Sequence, residues 1–405
     1  MRFAVIGGGA AGFFASIRLR ELRPDSEVHL FEKSAQVLAK VKVSGGGRCN
    51  VTHACFEARE LIRNYPRGNP ELIGAFSRFG PAQTVEWFED RGVDLKTEED
   101  GRMFPITDSS QTIIDLFLSE AQSNGVLLHR KTGLKTLKQS EANRWSLEFD
   151  DDSKWEFDAV LISTGSSESV WKSLMALGME IRPPVPSLFT FHVRDKELQS
   201  LMGLSVAQVR LVIPETGFES SGPLLFTHWG LSGPAVLKLS AFAARDLHSK
   251  AYRFRLTIDF LPDLKESRVE ETLRDFRSTN ARRQVINAIP FHSIPKRCWG
   301  YLLLIAGIDS EKNWADLGNK HLHALLNAMK SLELDINGKS TFKEEFVTCG
   351  GVSLDEVDTR SFQAKRFPGL YFAGEVLNVD AVTGGFNFQH AWTSGWLAAG
   401  GMASI

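Results

Sequence analysis

The sequence predicts an α/β fold in which a parallel sheet is interrupted by an inserted β-rich, barrel-like segment and an inserted helical one. Three observations carry that reading. Residues Arg2 to Lys33 run strand, glycine turn, helix, strand. Asp158-Ala159-Val160-Leu161-Ile162-Ser163 is a second short apolar run, of the kind buried on both faces of a parallel sheet. The segment from Gly369 onward returns to a strand and an apolar helix after a long stretch of different character.

Phe3-Ala4-Val5-Ile6 is a strand-length apolar run, and Gly7-Gly8-Gly9-Ala10-Ala11-Gly12 follows at once. An Ala-rich helical pattern continues from Phe13 to Leu22, and Val28-His29-Leu30-Phe31 is a strand ending on Glu32. This is the order of a dinucleotide-binding βαβ unit: G-x-G-x-x-G opening a helix, then an acid about twenty residues on. Gly7 permits the turn off the strand, Gly9 lets backbone approach a pyrophosphate, and Gly12 lets the helix pack close to the strand. The helix N-terminus, at Ala10 and Ala11, offers free N–H groups and a partial positive charge to phosphate. Glu32 suits the ribose hydroxyls of an adenosine, and its charge would repel a 2′-phosphate. A glycine-rich loop in an ordinary α/β domain needs only the glycines; here all five parts occur in order.

The chain has 405 residues and a net charge of −2, which allows two or three domains with cores of their own. Nothing in that balance calls for nucleic acid or a membrane as partner, and no apolar run approaches the roughly 20 residues of a bilayer-spanning helix. With the first strand starting at Arg2, no secretory leader is expected. Cys49, Cys55, Cys298 and Cys349 are too few for a disulfide scaffold and form no C-x-x-C pair. The expectation is a cytoplasmic protein with reduced thiols and no metal site.

Val43-Ser44-Gly45-Gly46-Gly47-Arg48-Cys49-Asn50-Val51-Thr52 is the next informative stretch. Three successive glycines imply close approach or positive φ. Arg48 offers a fork of donors suited to phosphate or a carbonyl edge, and Asn50 and Thr52 add neutral polar groups. After a dinucleotide fold, this loop is expected along the middle of the cofactor; a flexible surface turn is the alternative. Cys49 and Cys55 are separated by five residues, where flavin disulfide reductases use four. No second strand–G-x-G-x-x-G–helix unit follows either, so single thiols are favoured over a redox disulfide.

Helical patterns cover Glu57–Arg63, Pro70–Phe79 with proline in the first turn, and Pro81–Arg91, stopped by Gly92. Val93–Leu95 and Arg102–Phe104 read as short strands, and Gln111–Asn124 as an amphipathic helix. Val126–Leu128, Leu134–Leu137, Trp145–Phe149 and Lys154–Phe157 read as an antiparallel meander. Thr164-Gly165-Ser166 ends the strand from Asp158, where the chain is expected to cross the adenosine. Pro183-Pro184-Val185-Pro186 then breaks the chain, and a domain boundary is placed there. Leu188–Val193 and Ala207–Ile213 are strand-like. Gly222 to Pro234 reads as a strand running into a loop that opens a helix near Ala235. Lys265–Leu332 is mostly helical, with basic residues such as Arg282, Arg283, Lys296 and Arg297, and strand character returns at Thr341–Thr348. Gly369–Glu375 is a strand ending in Gly-acid. Val382-Thr383-Gly384-Gly385-Phe386-Asn387-Phe388-Gln389 leads into an apolar helix, His390–Gly400, whose N-terminus can face the negative charge of a reduced flavin's pyrimidine edge.

Taken together, Gly7–Gly12 with Glu32, Ser44-Gly45-Gly46-Gly47-Arg48-Cys49-Asn50, Phe226-Thr227-His228-Trp229-Gly230-Leu231-Ser232-Gly233-Pro234, Cys349-Gly350-Gly351-Val352, and Gly374-Glu375 through Gln389 resemble the BaiN/YhiN-type flavoprotein family, also described as aminoacetone-oxidase-type. The resemblance spans essentially the whole chain. It implies an FAD domain of glutathione-reductase type without that enzyme's nicotinamide domain, and with two inserted domains. The implied division is 1–186 plus 349–405 for FAD, 187–264 plus 337–348 for the β-rich domain, and 265–336 for the helical one. It implies FAD contacts at Gly9, Glu32, Lys40, Arg48, Asn50, Gly374, Glu375 and Asn387. The full cofactor set adds Gly7, Ala10, Ala11, Gly12, Lys33, Ser44, Gly45, Gly46, Gly47, Leu134, Thr164, Gly165, Gly385, Phe388 and Gln389. The chain departs from the family at Ser166, where a third Thr-Gly-Gly residue is usual, at Val41-Lys42-Val43, where an apolar run is preferred, and at Asn378, usually Asp.

The implied activity is FAD-dependent oxidoreduction of a small-molecule substrate, with NAD(P)H at most a transient donor at the flavin face. Bile-acid reduction and amine oxidation have both been attributed to the family, so the resemblance does not name a substrate. His228 is the acid–base candidate, because an imidazole titrates near neutrality. The competing reading is a flavoprotein that binds RNA or protein, related to tRNA-modifying flavoproteins and supported by the basic residues between Arg268 and Arg297.

Overall fold

Four residues of β1, Arg2–Ile6, are buried, as a run without polar alternation requires. α1 follows over Ala10–Leu22 and β2 over Glu27–Glu32. The computed structural model describes residues 1–140, 144–340 and 347–405. It divides into two compact units, Met1–Pro186 with Lys343–Ile405, and Ser187–Phe342.

In the first unit the chain continues through α2, Ala39–Gly47, and β3, Thr52–His53. A short helix at Ala58–Leu61 and a 3-10 turn at Ile62–Asn64 replace the single helix predicted over 57–63. The helix predicted to open at Pro70 begins instead at Ile73 and ends at Arg78, because Gly68 to Leu72 close a turn ahead of it. Pro81 does open its helix, Pro81–Glu89. β4 is Leu95–Thr97, β5 is Arg102–Pro105, and the helix Ser110–Ser123 is capped by the Ser109 hydroxyl. β6, Leu127–Arg130, was expected in the meander; it pairs parallel with β2 instead, Leu30 opposite Leu128. The meander is β7, Leu134–Gln139, β8, Trp145–Phe149, and β9, Lys154–Phe157. β10, Ala159–Ile162, returns beside β1, with Ala4 opposite Val160. β11, Ile181–Ser187, runs straight through the prolines expected to break the chain. Among the described residues it pairs with one strand alone, β18 (Val347–Val352), so the missing proline N–H groups face no second neighbour there.

The second unit is a closed barrel with helices packed against it. Its strands are β12, Thr190–Val193; β13, Ser205–Val212; β14, Glu219–Thr227; β15, Gly230–Ser232; β16, Arg253–Asp259; and β17, Leu332–Ser340. They close in the order β12-β15-β14-β13-β16-β17. The loop predicted after Thr227 is a hairpin turn between β14 and β15, and the helix beyond it, Pro234–Phe242, opens on proline. Helices Glu266–Thr279, Lys296–Ile305 and Asn319–Lys330 lie between β16 and β17. The helical pattern stops at Leu332, where β17 begins. One continuous buried cluster joins barrel residues such as Leu256 and Ile258 to Leu273, Trp299 and Leu325 of the helices. The strand expected at 341–348 lies outside the described residues up to 346.

Back in the first unit, β18, Val347–Val352, carries Cys349-Gly350-Gly351. β19, Val357–Asp358, β20, Gln363–Ala364, and β21, Leu370–Phe372, complete the sheet in the order β19-β20-β21-β10-β1-β2-β6. The long C-terminal helix, Phe386–Ala403, packs on α1 so closely that a Cβ on Gly395 would stand 2.9 Å from the Ala11 carbonyl oxygen. Phe14 of α1 meets Phe79, Trp87, Phe117 and Trp392 around that contact, an aromatic core on one side of the sheet.

Candidate functional site

The turn after β1 is shaped by contacts only glycine allows. Gly7 has φ +112°, and a Cβ there would stand 2.5 Å from the Ser163 carbonyl oxygen at the end of β10. A Cβ on Gly12 would stand 2.0 Å from the Gly7 carbonyl oxygen, so α1 abuts its own entry loop. Gly9 differs: a Cβ there would meet nothing within 4 Å. α1 therefore opens at Ala10 beside free space, with no acidic residue in its first turn to neutralise its N-terminus.

Glu32, at the end of β2, is held toward this turn. One carboxylate oxygen accepts from the Gly8 N–H at 2.9 Å; the other accepts from the Ser34 N–H at 2.8 Å and the Ser34 hydroxyl at 2.9 Å. These donors orient an anion that keeps lone pairs for further donors. Gly8 lay outside the predicted contacts, although its place in a three-glycine run was the signal. Its Cβ would stand 3.0 Å from that of Glu32. Lys33 and Leu134 come to the same end of the sheet, since Thr132 N–H donates to the Glu32 carbonyl at 2.9 Å and Lys33 Cβ lies 3.2 Å from a Cβ built on Gly133.

A second group gathers past β10. The Thr164 hydroxyl is buried without a hydrogen-bond partner among the described residues. A Cβ on Gly165, φ +61°, would lie 3.7 Å from Glu375 Oε2. Glu375 accepts from the Thr348 N–H at 3.0 Å and pairs with Lys40. A Cβ on Gly374 would touch that of Ala11 at 3.2 Å, so this group adjoins the start of α1.

The glycine loop takes the positive φ that its three glycines imply. Residues 39–47 form α2, which breaks at Ser44, where ψ is 148°; Gly45, Gly46 and Gly47 then take φ of +57°, +68° and +85°. Close approach occurs only at Gly45, whose Cβ would stand 2.9 Å from the Phe104 ring, whereas Cβ atoms on Gly46 and Gly47 would meet nothing within 4 Å. Arg48 is not an open fork. It donates to Glu98 at 2.6 Å, lies 3.5 Å from Asp108 and stacks over Phe104 at 3.9 Å. Hydrogen bonding to Glu98 raises its pKa further, so it stays a cation already engaged by carboxylates.

Asn50, Asn387 and Gln389 serve the C-terminal helix. Oriented to satisfy its neighbours, the Asn50 amide accepts from the Gly385 N–H at 2.9 Å and donates to Thr52 O at 3.0 Å. One N–H expected to face a cofactor is thus taken by protein. Asn387 clasps both backbone groups of Ala381, at 3.0 and 3.1 Å. Gln389 is fully buried, and its amide is used by Thr52, Thr84 and Thr393 at 2.6, 3.0 and 3.0 Å. Phe388 stacks on Trp392 at 5.6 Å.

His228 is exposed on the β14–β15 turn of the second unit. None of the four cysteines is in a disulfide. Burial pushes the Cys49 thiol up to about 12, and burial followed by Glu60 and Glu57 raises that of Cys55, so neither is a ready thiolate. The residues around Gly9, Glu32 and Thr164 fit an adenine dinucleotide: an open helix N-terminus, an oriented carboxylate, and a buried hydroxyl lacking a partner.

The sequence profile of the HI0933-like protein Rossmann domain matches residues 1–401. The chain belongs to the HI0933-like family. The motif resemblance to BaiN/YhiN-type flavoproteins therefore stands, and membership places the chain among FAD-dependent oxidoreductases. This HI0933-like chain is 29% identical, over 98% of its own length and 96% of the relative's, to a protein named ribosomal RNA dihydrouridine synthase from Escherichia coli (strain K12). It is 26% identical, over 98% of each chain, to 3-dehydro-bile acid delta(4,6)-reductase from Clostridium scindens. Its fold is similar to that of 3-ketosteroid delta1-dehydrogenase from Sterolibacterium denitrificans, with a TM-score of 0.52, 11% identity and 99% of each chain covered. Among the described residues no helix is long and apolar enough to cross a membrane.

Proposed function

We propose that this FAD-dependent oxidoreductase saturates a carbon–carbon double bond conjugated to a carbonyl in a small-molecule substrate, by addition of a hydride and a proton. The observation that carries the cofactor assignment is the open space at Gly9, where α1 presents its N-terminus beside the oriented Glu32 carboxylate. When bound, FAD supplies a two-electron hydride carrier. Gly7, Gly9, Ala10, Ala11 and Gly12 cradle its pyrophosphate, and Glu32 holds the ribose, with Lys33 and Leu134 beside it. Thr164, Gly165, Gly374, Glu375 and Lys40 line its middle. Ser44 to Arg48 and Asn50, with Gly385, Asn387, Phe388 and Gln389, shape the loop and helix expected at the flavin. His228 is the first proton-transfer group to test.

The direction of the reaction draws on the relatives: a delta(4,6)-reductase and a dihydrouridine synthase both name saturation of a double bond. A second reading, with RNA as substrate, is favoured by two relatives bearing the ribosomal RNA name. The basic helices add little to it. Arg268 pairs with Glu271 and Arg274 with Glu270, and Arg297 donates to backbone carbonyls, so neighbouring acids and carbonyls already offset part of their charge. Anaerobically reduced protein should be reoxidised by a conjugated enone with loss of the enone absorbance. Reoxidation by uridine-containing RNA alone would favour the second reading; failure with both would overturn the proposal.

A further inference from the structure

The hairpin turn between β14 and β15 carries a motif the cofactor assignment leaves unused. Trp229 at its tip is 49% exposed. Its indole lies along the His192 ring of β12, with centroids 5.6 Å apart and planes at 17°, and meets His228 edge-on at 4.9 Å. The turn is locked in place. The Trp229 carbonyl accepts from the Val193 N–H at 3.1 Å, and the Thr227 hydroxyl donates to the Gly230 carbonyl at 3.2 Å. Gly230 has φ +145°, and a Cβ there would stand 2.3 Å from the Phe191 carbonyl oxygen, so no other residue lets the hairpin lie so close to β12. Below the indole, His192 Nε2 is buried with no hydrogen-bond partner among the described residues. Burial, then the nearby Arg194, lowers the His192 pKa, which keeps the support neutral near pH 7.

An indole fixed in one orientation with half its surface in water gains little from folding, and such rigid aromatics serve where planar rings stack. We propose that Trp229, backed by His192, is a stacking shelf for a planar substrate ring made electron-poor by a conjugated carbonyl. The inference rests on the conjugated-carbonyl reading of the reaction. Charge complementarity selects the occupant. The indole face is negative in its quadrupole and the imidazole beneath it is uncharged, so an uncharged, electron-poor ring fits where a carboxylate does not. A steroid-like enone and a uracil base share this chemistry.

The two sources are separated by titrating the FAD-loaded protein calorimetrically with 4-androstene-3,17-dione and, in a second arm, with a short oligouridylate. At least one probe should bind. Its Kd should rise about tenfold or more in Trp229→Ala and change by less than about threefold in Trp229→Phe, which keeps a stacking ring. The flavin spectrum should be unaltered in both variants. The arm that loses affinity names the source. No binding of either probe to the wild-type protein, or equal binding by Trp229→Ala, overturns the shelf. Mixing reduced protein with the bound probe separates this result from the reaction itself. A probe held at Trp229 but never reduced defeats the proposed reaction and leaves the shelf. A probe reduced with unchanged KM in Trp229→Ala does the reverse.

Discussion

A residue as small as glycine is required at two places for different reasons, and the difference is measurable. At Gly12 the obstacle is space: Gly12→Ala would put a methyl 2.0 Å from the Gly7 carbonyl oxygen. Overpacking of this kind costs roughly 1–3 kcal/mol, and here it falls on the phosphate turn itself. FAD occupancy after purification, read from the flavin-to-protein absorbance ratio, should drop severely while the fold persists by circular dichroism. Full occupancy would place the dinucleotide elsewhere. At Gly46 there is space, and only the backbone angle of +68° objects. Gly46→Val should therefore weaken FAD by no more than the cost of a left-handed residue, roughly 1–2 kcal/mol or about 5- to 30-fold. Complete loss in a fluorescence titration would mean that this backbone touches the cofactor directly.

Among the elements, the C-terminal helix depends on the segment that leads into it. Asp380, fully buried, forms a two-pronged ion pair with Arg67, and Tyr65 donates from its hydroxyl to the Phe386 carbonyl at 2.6 Å. These contacts tie residues 65–67 to the approach of the helix whose N-terminus lies beside Asn50. Asp380→Asn removes the charge that faces the largely buried Arg67 guanidinium, a loss of about 3–5 kcal/mol. Chemical denaturation should show that drop with an unchanged m-value. A loss under about 1 kcal/mol, the range of surface pairs, would mean that water reaches Arg67.

On the scale of the whole molecule, acid should destabilise the fold through its histidines. His390, buried in the C-terminal helix, is pushed down to about 4 by burial, with the Gly374 backbone pulling the other way. His29 and His129, hydrogen-bonded to each other at 3.0 Å, are also lowered, chiefly by burial. An imidazole whose folded pKa lies below its unfolded value leaves the unfolded chain binding the proton first. Stability is then complete above about pH 6.5, falls as pH drops toward about 4, and levels off below. For His390 alone the loss is about 3 kcal/mol. Unfolding free energy measured from pH 7 to 4 should be flatter in His390→Leu; an identical slope would assign the loss to groups other than His390, such as His29 and His129 or carboxylates. Electron supply is also a property of the whole chain. Among the described residues one parallel sheet carries a dinucleotide turn, and FAD is assigned to it. Reduction by NADH or NADPH should be slow, with a dissociation constant near or above the roughly 1 mM top of usual KM values. Rapid saturation at micromolar nucleotide in stopped-flow absorbance would reveal a nicotinamide site.

The sequence by itself determined the α/β class, the βαβ unit from Arg2 to Glu32, the return of β10 to the same sheet, and the motifs that place the chain in its family. These are legible because they are local: a strand buried on both faces, a glycine turn and a helix start each follow from a few adjacent residues. Tertiary structure decided what long side chains touch. Arg48 reads as a phosphate fork until Glu98, fifty positions on, is folded against it. Gln389 reads as a cofactor contact until Thr52 and Thr84 close over its amide. β6 reads as part of the meander because a short apolar run carries no mark of its partner, and only packing beside β2 makes it parallel. Trp229 becomes a shelf only once β12 brings His192 beneath it. Backbone preference is set by neighbours in sequence, whereas a hydrogen bond or a stacked ring is set by neighbours in space, and those are chosen by how the whole chain packs.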